Sequence, residues 1–581
     1  MTHAGKHDST HDSTHDTAAA RTRRRTLALV ALVTTLALLA TTAPGAAARP
    51  ATETEPAPAA APPRPDGAAV VRVDSGWLRG RADTGHDTGH VAYSGVPYAA
   101  PPVGERRWRP PAPPQAWSGV RDATAPSPLC PQAGEGEGDV LGQEDCLTLD
   151  VVAPAHARRG DRLPVLVWLH GGGLDSGGAA RFDGARLATE GGLVVVTANY
   201  RLGALGFLST SELGPHRGNY GLMDQAAALR WVQRNAAAFG GDPRNVTLAG
   251  QSGGARSVCA QLAAPTSEGL FDRAIVQSGA CANPVLDRAR AQAFGDRAVD
   301  HLGCAGTDHG TDHGTDHHAD HDTGGVAACL RRTSVPALVA TLEGVGYGLT
   351  EHSGDRPWNP VAGTPFLPRQ PIDALRRGTA ARVPLLVGGT RDEMREFVHW
   401  QAPGLTAEGY RDMLTDAFGS DTPTVLDAYP LTDHDSPALA LAAVLGDWGA
   451  QIGACPVLRT AQAAAPHQPV HVYEFAEDAG PAPDGYPRGA YHGLELGYLW
   501  TLVGDHLPPP LDPAQQRLSA TMIDYWAAFA RTGDVNGPGR PHWPRFGPSQ
   551  TVVALSTQGI RPTPFAADHR CDLWAELDGR T

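Results

Sequence analysis

Asn245-Val246-Thr247-Leu248-Ala249-Gly250-Gln251-Ser252-Gly253-Gly254-Ala255-Arg256-Ser257-Val258-Cys259 is the stretch that decides the fold. Its first five residues are β-branched and apolar and read as a buried strand. From Ala255 to Ala263 no breaker intervenes, and a helix is expected. Between them stands a G-x-S-x-G turn. A strand, this turn and a helix make a nucleophile elbow: glycines permit the sharp bend that lifts a serine hydroxyl over the end of a sheet. The pattern alone is weak, and a tight glycine turn is its bland reading; the flanking elements favour the catalytic one.

Working outward, residues 164–169 and 193–198 are continuous apolar runs of strand length, the kind that parallel strands buried on both faces require. Further runs lie at 273–277, 383–387 and 470–475, and the stretch 223–232 has helical character. Strands alternating with helices predict an α/β fold, a mostly parallel sheet wrapped by helices, with chemistry at the carboxyl ends of the strands. His170-Gly171-Gly172-Gly173 follows directly on the run at 164–169. That is the place of an oxyanion loop, and Gly172, Gly173 and Gly253 are the expected N–H donors.

The first residues read differently. Arg21 to Arg25 carry four positive charges, residues 27–40 are apolar, and Ala46-Ala47-Ala48 is a small-residue cleavage site. Residues 1–48 are therefore expected to be a secretion signal, too short in its apolar run for a membrane span, with a signal anchor as the alternative. Residues 49–69 form an Ala/Pro-rich disordered lead-in, and 70–581 a single large domain. With 48 basic against 62 acidic residues and a formal charge of −14, neither nucleic acid nor an anionic membrane surface is the expected partner. Eight cysteines, all beyond the leader, suit disulfides in an exported, secreted protein. No cysteine or histidine spacing matches zinc. His/Asp repeats begin at His7, recur at 84–90 and fill a surface loop at 305–325. Imidazole and carboxylate density there invites a metal reading, but a tolerated low-complexity repeat is the simpler one.

A reactive serine needs a base and an acid to orient it. His492 lies in the loop after the strand at 470–475, and the acid follows the strand at 383–387, where Asp392 and Glu393 are adjacent and equally placed. Serine, then acid, then histidine is the α/β-hydrolase order.

The chain resembles the type-B carboxylesterases, which include bacterial para-nitrobenzyl esterases, mammalian carboxylesterases and cholinesterases. Ser94-Gly95-Val96-Pro97-Tyr98-Ala99-Ala100-Pro101-Pro102-Val103-Gly104, Glu144-Asp145-Cys146-Leu147, Asn199-Tyr200-Arg201-Leu202-Gly203, Phe239-Gly240-Gly241-Asp242-Pro243 and Tyr525-Trp526-Ala527-Ala528-Phe529 are similar to family signatures in order. So is Gly218-Asn219-Tyr220-Gly221-Leu222-Met223-Asp224-Gln225. The resemblance implies an α/β-hydrolase fold, a triad of Ser252, Glu393 and His492, and hydrolysis of a small-molecule carboxylic ester through an acyl-enzyme, with neither cofactor nor metal. It implies disulfides Cys130–Cys146, Cys304–Cys329 and Cys455–Cys571; Cys259 and Cys281 are left over and expected to pair. Gln251 stands where the family most often has glutamate, Met394 where it has glycine and Gly253 where it has alanine. The segment 131–145 contains no aromatic residue to stack on an ammonium group, which argues against choline esters. A triacylglycerol lipase and a non-catalytic adhesion protein on the same fold are the alternatives.

Overall fold

The apolar runs become the middle of one large sheet. The computed structural model describes residues 69–83, 89–136, 138–305, 325–346, 348–504 and 509–579. The expected signal, nearly all of the lead-in and most of each His/Asp repeat lie outside the described residues. Ala69 is a correction at the edge of the lead-in: it opens the first strand and pairs with Gly80.

Twelve strands form the main path: β1 Ala69–Val73, β2 Gly76–Asp83, β3 His90–Pro97, β4 Thr148–Pro154, β5 Leu163–Leu169, β6 Val194–Ala198, β7 Gly241–Gln251, β8 Arg273–Gln277, β9 Leu385–Thr390, β10 Val470–Phe475, β11 Val552–Leu555 and β12 Arg561–Thr563. Their spatial order is β1-β2-β3-β4-β6-β5-β7-β8-β9-β10-β11-β12. From β6 to β11 every pairing is parallel, and the two margins are antiparallel. The chain leaves β5 for β6 on one side and returns to the other side with β7. This reversal sets the ends of β5 and β7 side by side, with Leu169 opposite Gly250, and opens a crevice there.

Both faces are covered. Along β5, Val165, Val167 and Leu169 join the core on one face, with Ala255 and Val258 of helix α2 (Gly253–Ala263). Leu166 and Trp168 face the other, against Met522, Ile523 and Trp526 of helix α3 (Pro513–Thr532). Helix α1 (Tyr220–Asn235) runs beyond the stretch expected, because Asn219 and Tyr220 are themselves buried. β9 begins at Leu385 rather than 383: Pro384 has no N–H for the ladder, though its carbonyl accepts from Ala274 at 3.0 Å.

The sequence signatures are structural ties. Arg201 meets Asp224 at 2.7 Å, both fully buried, and Arg107 meets Glu144 at 2.6 Å. Disulfides join Cys130 to Cys146, Cys259 to Cys281, Cys304 to Cys329 and Cys455 to Cys571. Among the described residues no helix is long and apolar enough to cross a membrane.

Candidate active site

Ser252 sits between β7 and α2 with φ 55° and ψ −123°. A side chain in that region costs on the order of 1–3 kcal/mol and persists only where its surroundings enforce it. Here they do: the Ser252 N–H donates to Gln277 O at the end of β8 (2.9 Å), and its carbonyl accepts from Arg256 N (3.0 Å). Gly254 has no room for a side chain, since a methyl there would stand 2.0 Å from the Leu169 carbonyl oxygen. Helix α2 therefore packs backbone to backbone on the end of β5.

That same end carries the glycine loop. Gly172 and Gly173 adopt φ of 100° and 64°, a region that favours glycine. Among the described residues, the N–H groups of Gly172, Gly173 and Gly253 have no acceptor within the protein. All three residues line one hollow beside Ser252. His170 at the head of the loop is a brace. It is buried, stacks on Tyr200 with ring centres 4.4 Å apart, donates from Nδ1 to Gly171 O, and burial pulls its pKa down to about 4.

His492 Nδ1 lies 2.6 Å from Glu393 Oε2, while Oε1 of the same carboxylate accepts from Thr390 N at 2.9 Å. Burial opposes charge on both groups, but their mutual attraction prevails: the imidazole is held above its ordinary value and the carboxyl below its own. The competing Asp392 points elsewhere. It accepts from Ala490 N at 2.8 Å and pairs with Arg395 at 2.7 Å, fastening the loop that carries His492. Gln251 Nε2 is 3.2 Å from His492 Nε2. With the Nδ1 proton directed at Glu393, that ring nitrogen is an acceptor.

The hollow over these groups has a volume of about 440 Å³. Its walls include Arg256, Arg356, Met394, Phe397, Gln451 and Ile452 as well as the residues foreseen. The Phe397 ring lies 5.5 Å from that of His492. A larger hollow, about 680 Å³, lies at Pro110–Pro114 and shares none of these residues. Glu495, fully buried behind His492, was not foreseen either. Burial and the charge of Glu393 push its pKa up to about 7, and its Oε2 has no hydrogen-bond partner. Its place three residues after His492 was the available signal.

Comparison with known proteins follows the same outline. A family profile described as the carboxylesterase family matches residues 67–574. Pyrethroid hydrolase Ces2e of Rattus norvegicus is 33% identical over 546 residues, covering 88% of this chain and 90% of the relative. Fumonisin B1 esterase of Sphingopyxis macrogoltabida is 34% identical over 484 residues, covering 80% and 83%. The crystal structure of Geobacillus stearothermophilus carboxylesterase EST55 superposes with a TM-score of 0.70 at 32% identity, covering 86% of this chain and 99% of that one.

Proposed function

The chain belongs to the carboxylesterase family and is a carboxylic ester hydrolase, and from that premise we propose that it acts through Ser252, His492 and Glu393. His492 Nε2 takes the proton of Ser252 Oγ as that oxygen bonds to the ester carbonyl carbon. The negative charge that develops on the carbonyl oxygen is met by the N–H groups of Gly172, Gly173 and Gly253. The C–O bond to the alcohol breaks, and His492 returns its proton to the leaving alkoxide. Water then adds to the acyl-enzyme with His492 again as base, releasing the acid and restoring Ser252. Glu393 holds the imidazole in the tautomer whose Nε2 carries no proton, and it stabilises the imidazolium.

The observation that carries this reading is the 2.6 Å contact between Glu393 and His492, facing the same hollow as a serine in a strained elbow. Export to an oxidising compartment is part of the proposal, supported by the leader and by four disulfides in place. The test is a series of p-nitrophenyl esters of increasing acyl length, with Ser252→Ala prepared in parallel. Rates highest at short chains and lost in the variant are expected. A maximum at long chains would indicate a lipase, and hydrolysis that survives the substitution would exclude Ser252 as nucleophile.

A further inference from the structure

Arg256 lies one helical turn past Ser252 and is 6% exposed. Its Nη2 donates to Asn359 Oδ1 at 2.8 Å and to Pro284 O at 3.2 Å, both neutral acceptors, and its Nε is buried without a hydrogen-bond partner. Among the described residues it is in no ion pair. The charge that acts on it is a second cation, Arg356, whose Nη2 donates to Gln451 Oε1. Both arginines line the hollow that holds Ser252 and His492. One acid, Asp175, shares that wall.

Burying a guanidinium without a carboxylate costs several kcal/mol, and placing another cation beside it adds to the cost. Burial and the neighbouring charge bring Arg256 down to about 9, and burial brings Arg356 to about 10. Asp175, which burial raises to about 6, is still mostly ionised at neutral pH and acts with Glu351 on Arg356, and neither carboxylate acts on Arg256. The result is a cationic wall inside a protein whose formal charge is −14. Such a wall serves an anionic ligand, which would supply the counter-charge that Arg256 lacks and use its planar donors beside those of Arg356.

We propose that the preferred substrates are esters bearing a free carboxylate, such as monoesters of short dicarboxylic acids, with Arg256 and Arg356 binding that carboxylate while the ester carbonyl lies at Ser252. This rests on the reading of Ser252 as nucleophile. The wall is also consistent with Gln251, whose neutral amide spares the anion a negative neighbour.

The test compares monomethyl glutarate with methyl valerate, matched in chain length, by titrating the acid released. The wild-type enzyme is expected to favour the glutarate ester in kcat/KM by at least tenfold. In Arg256→Gln and in Arg356→Gln that selectivity ratio is expected to fall at least tenfold, mainly through KM, and Arg256→Lys to restore part of it. A wild-type preference for the neutral ester would overturn the proposal. So would variants that slow both esters in parallel and leave the ratio where it was. Calorimetric titration of glutarate into Ser252→Ala keeps the two readings apart: saturable binding that Arg256→Gln weakens supports the carboxylate site even if the serine assignment fails, and no binding refutes it.

Discussion

Replacing Cys259 and Cys281 together by alanine asks what the bridge beside the elbow contributes. It closes 22 residues of chain, from helix α2 to the segment after β8. Loop-closure entropy for that length is roughly 3.4 kcal/mol. The Cys455–Cys571 bridge closes 116 residues, for which the same relation gives roughly 4.8 kcal/mol. Both pairs are buried, so truncation to alanine adds a similar small packing loss to each. At about 2.1 cal/mol/K per residue, the roughly 510 residues of the folded domain would lose about 3 °C of Tm for the first pair and about 4.5 °C for the second. The assay is thermal unfolding of both variants under one scan rate, with esterase rates measured 20 °C or so below the transitions. Little rate loss is expected for Cys259→Ala/Cys281→Ala, because the Ser252 N–H remains anchored to Gln277 O at 2.9 Å. A tenfold fall in rate at a temperature where the variant is folded would refute this, since it would mean that the bridge, and not the β7–β8 contact, places the serine. A larger loss of stability for the shorter loop would refute the entropic account.

Two further outcomes are expected. Glu393→Gln should lower kcat by about 10⁴-fold; because the wild-type carboxylate raises the pKa of His492, which must be neutral to act as base, the acid limb of the pH–rate profile should also move to lower pH, and an unmoved limb would contradict that assignment. His569 is buried between Asp447 and Glu474, with contacts of 2.5 and 2.6 Å, and although burial disfavours its charge these bonds raise its pKa to about 10. A raised value means stability fully present below about 6.5 and lost as pH climbs through 10, on the order of 5 kcal/mol; Tm of the wild-type protein should fall over that window, His569→Gln should flatten the curve, and equal slopes would exclude the residue as the cause.

What could be read in the sequence was what local chemistry fixes. A serine between glycines after an apolar strand has few backbone options, and the same holds for the loop from His170 to Gly173. Uninterrupted runs such as 164–169 signal a doubly covered strand because each successive side chain must find a core on its own face. The choice between Asp392 and Glu393 was open because adjacent turn residues point in different directions. Only the fold shows that one faces His492 and the other fastens residue 490. The cavity wall was not legible at all. Arg356, Phe397 and Ile452 come from loops and short helices without period, and nothing local says that they converge. Arg256 sat in plain sight within the quoted stretch, but its significance depends on what lacks a charge around it, which is a property of the folded neighbourhood.

The elbow has no slack: at Gly254 the backbones of helix and strand already touch. The rest of the cavity wall is the opposite, assembled from segments around 175, 356, 397, 452 and 496 that answer to no common constraint. Change can therefore enter this protein unevenly. Replacements in any one segment can recut the shape and charge of what is admitted, while the serine that attacks it stays where the sheet has put it. Such a division lets a lineage exchange one ester for another without reinventing the reaction. It also means that a directed search for new substrates should randomise the wall and leave the glycines alone.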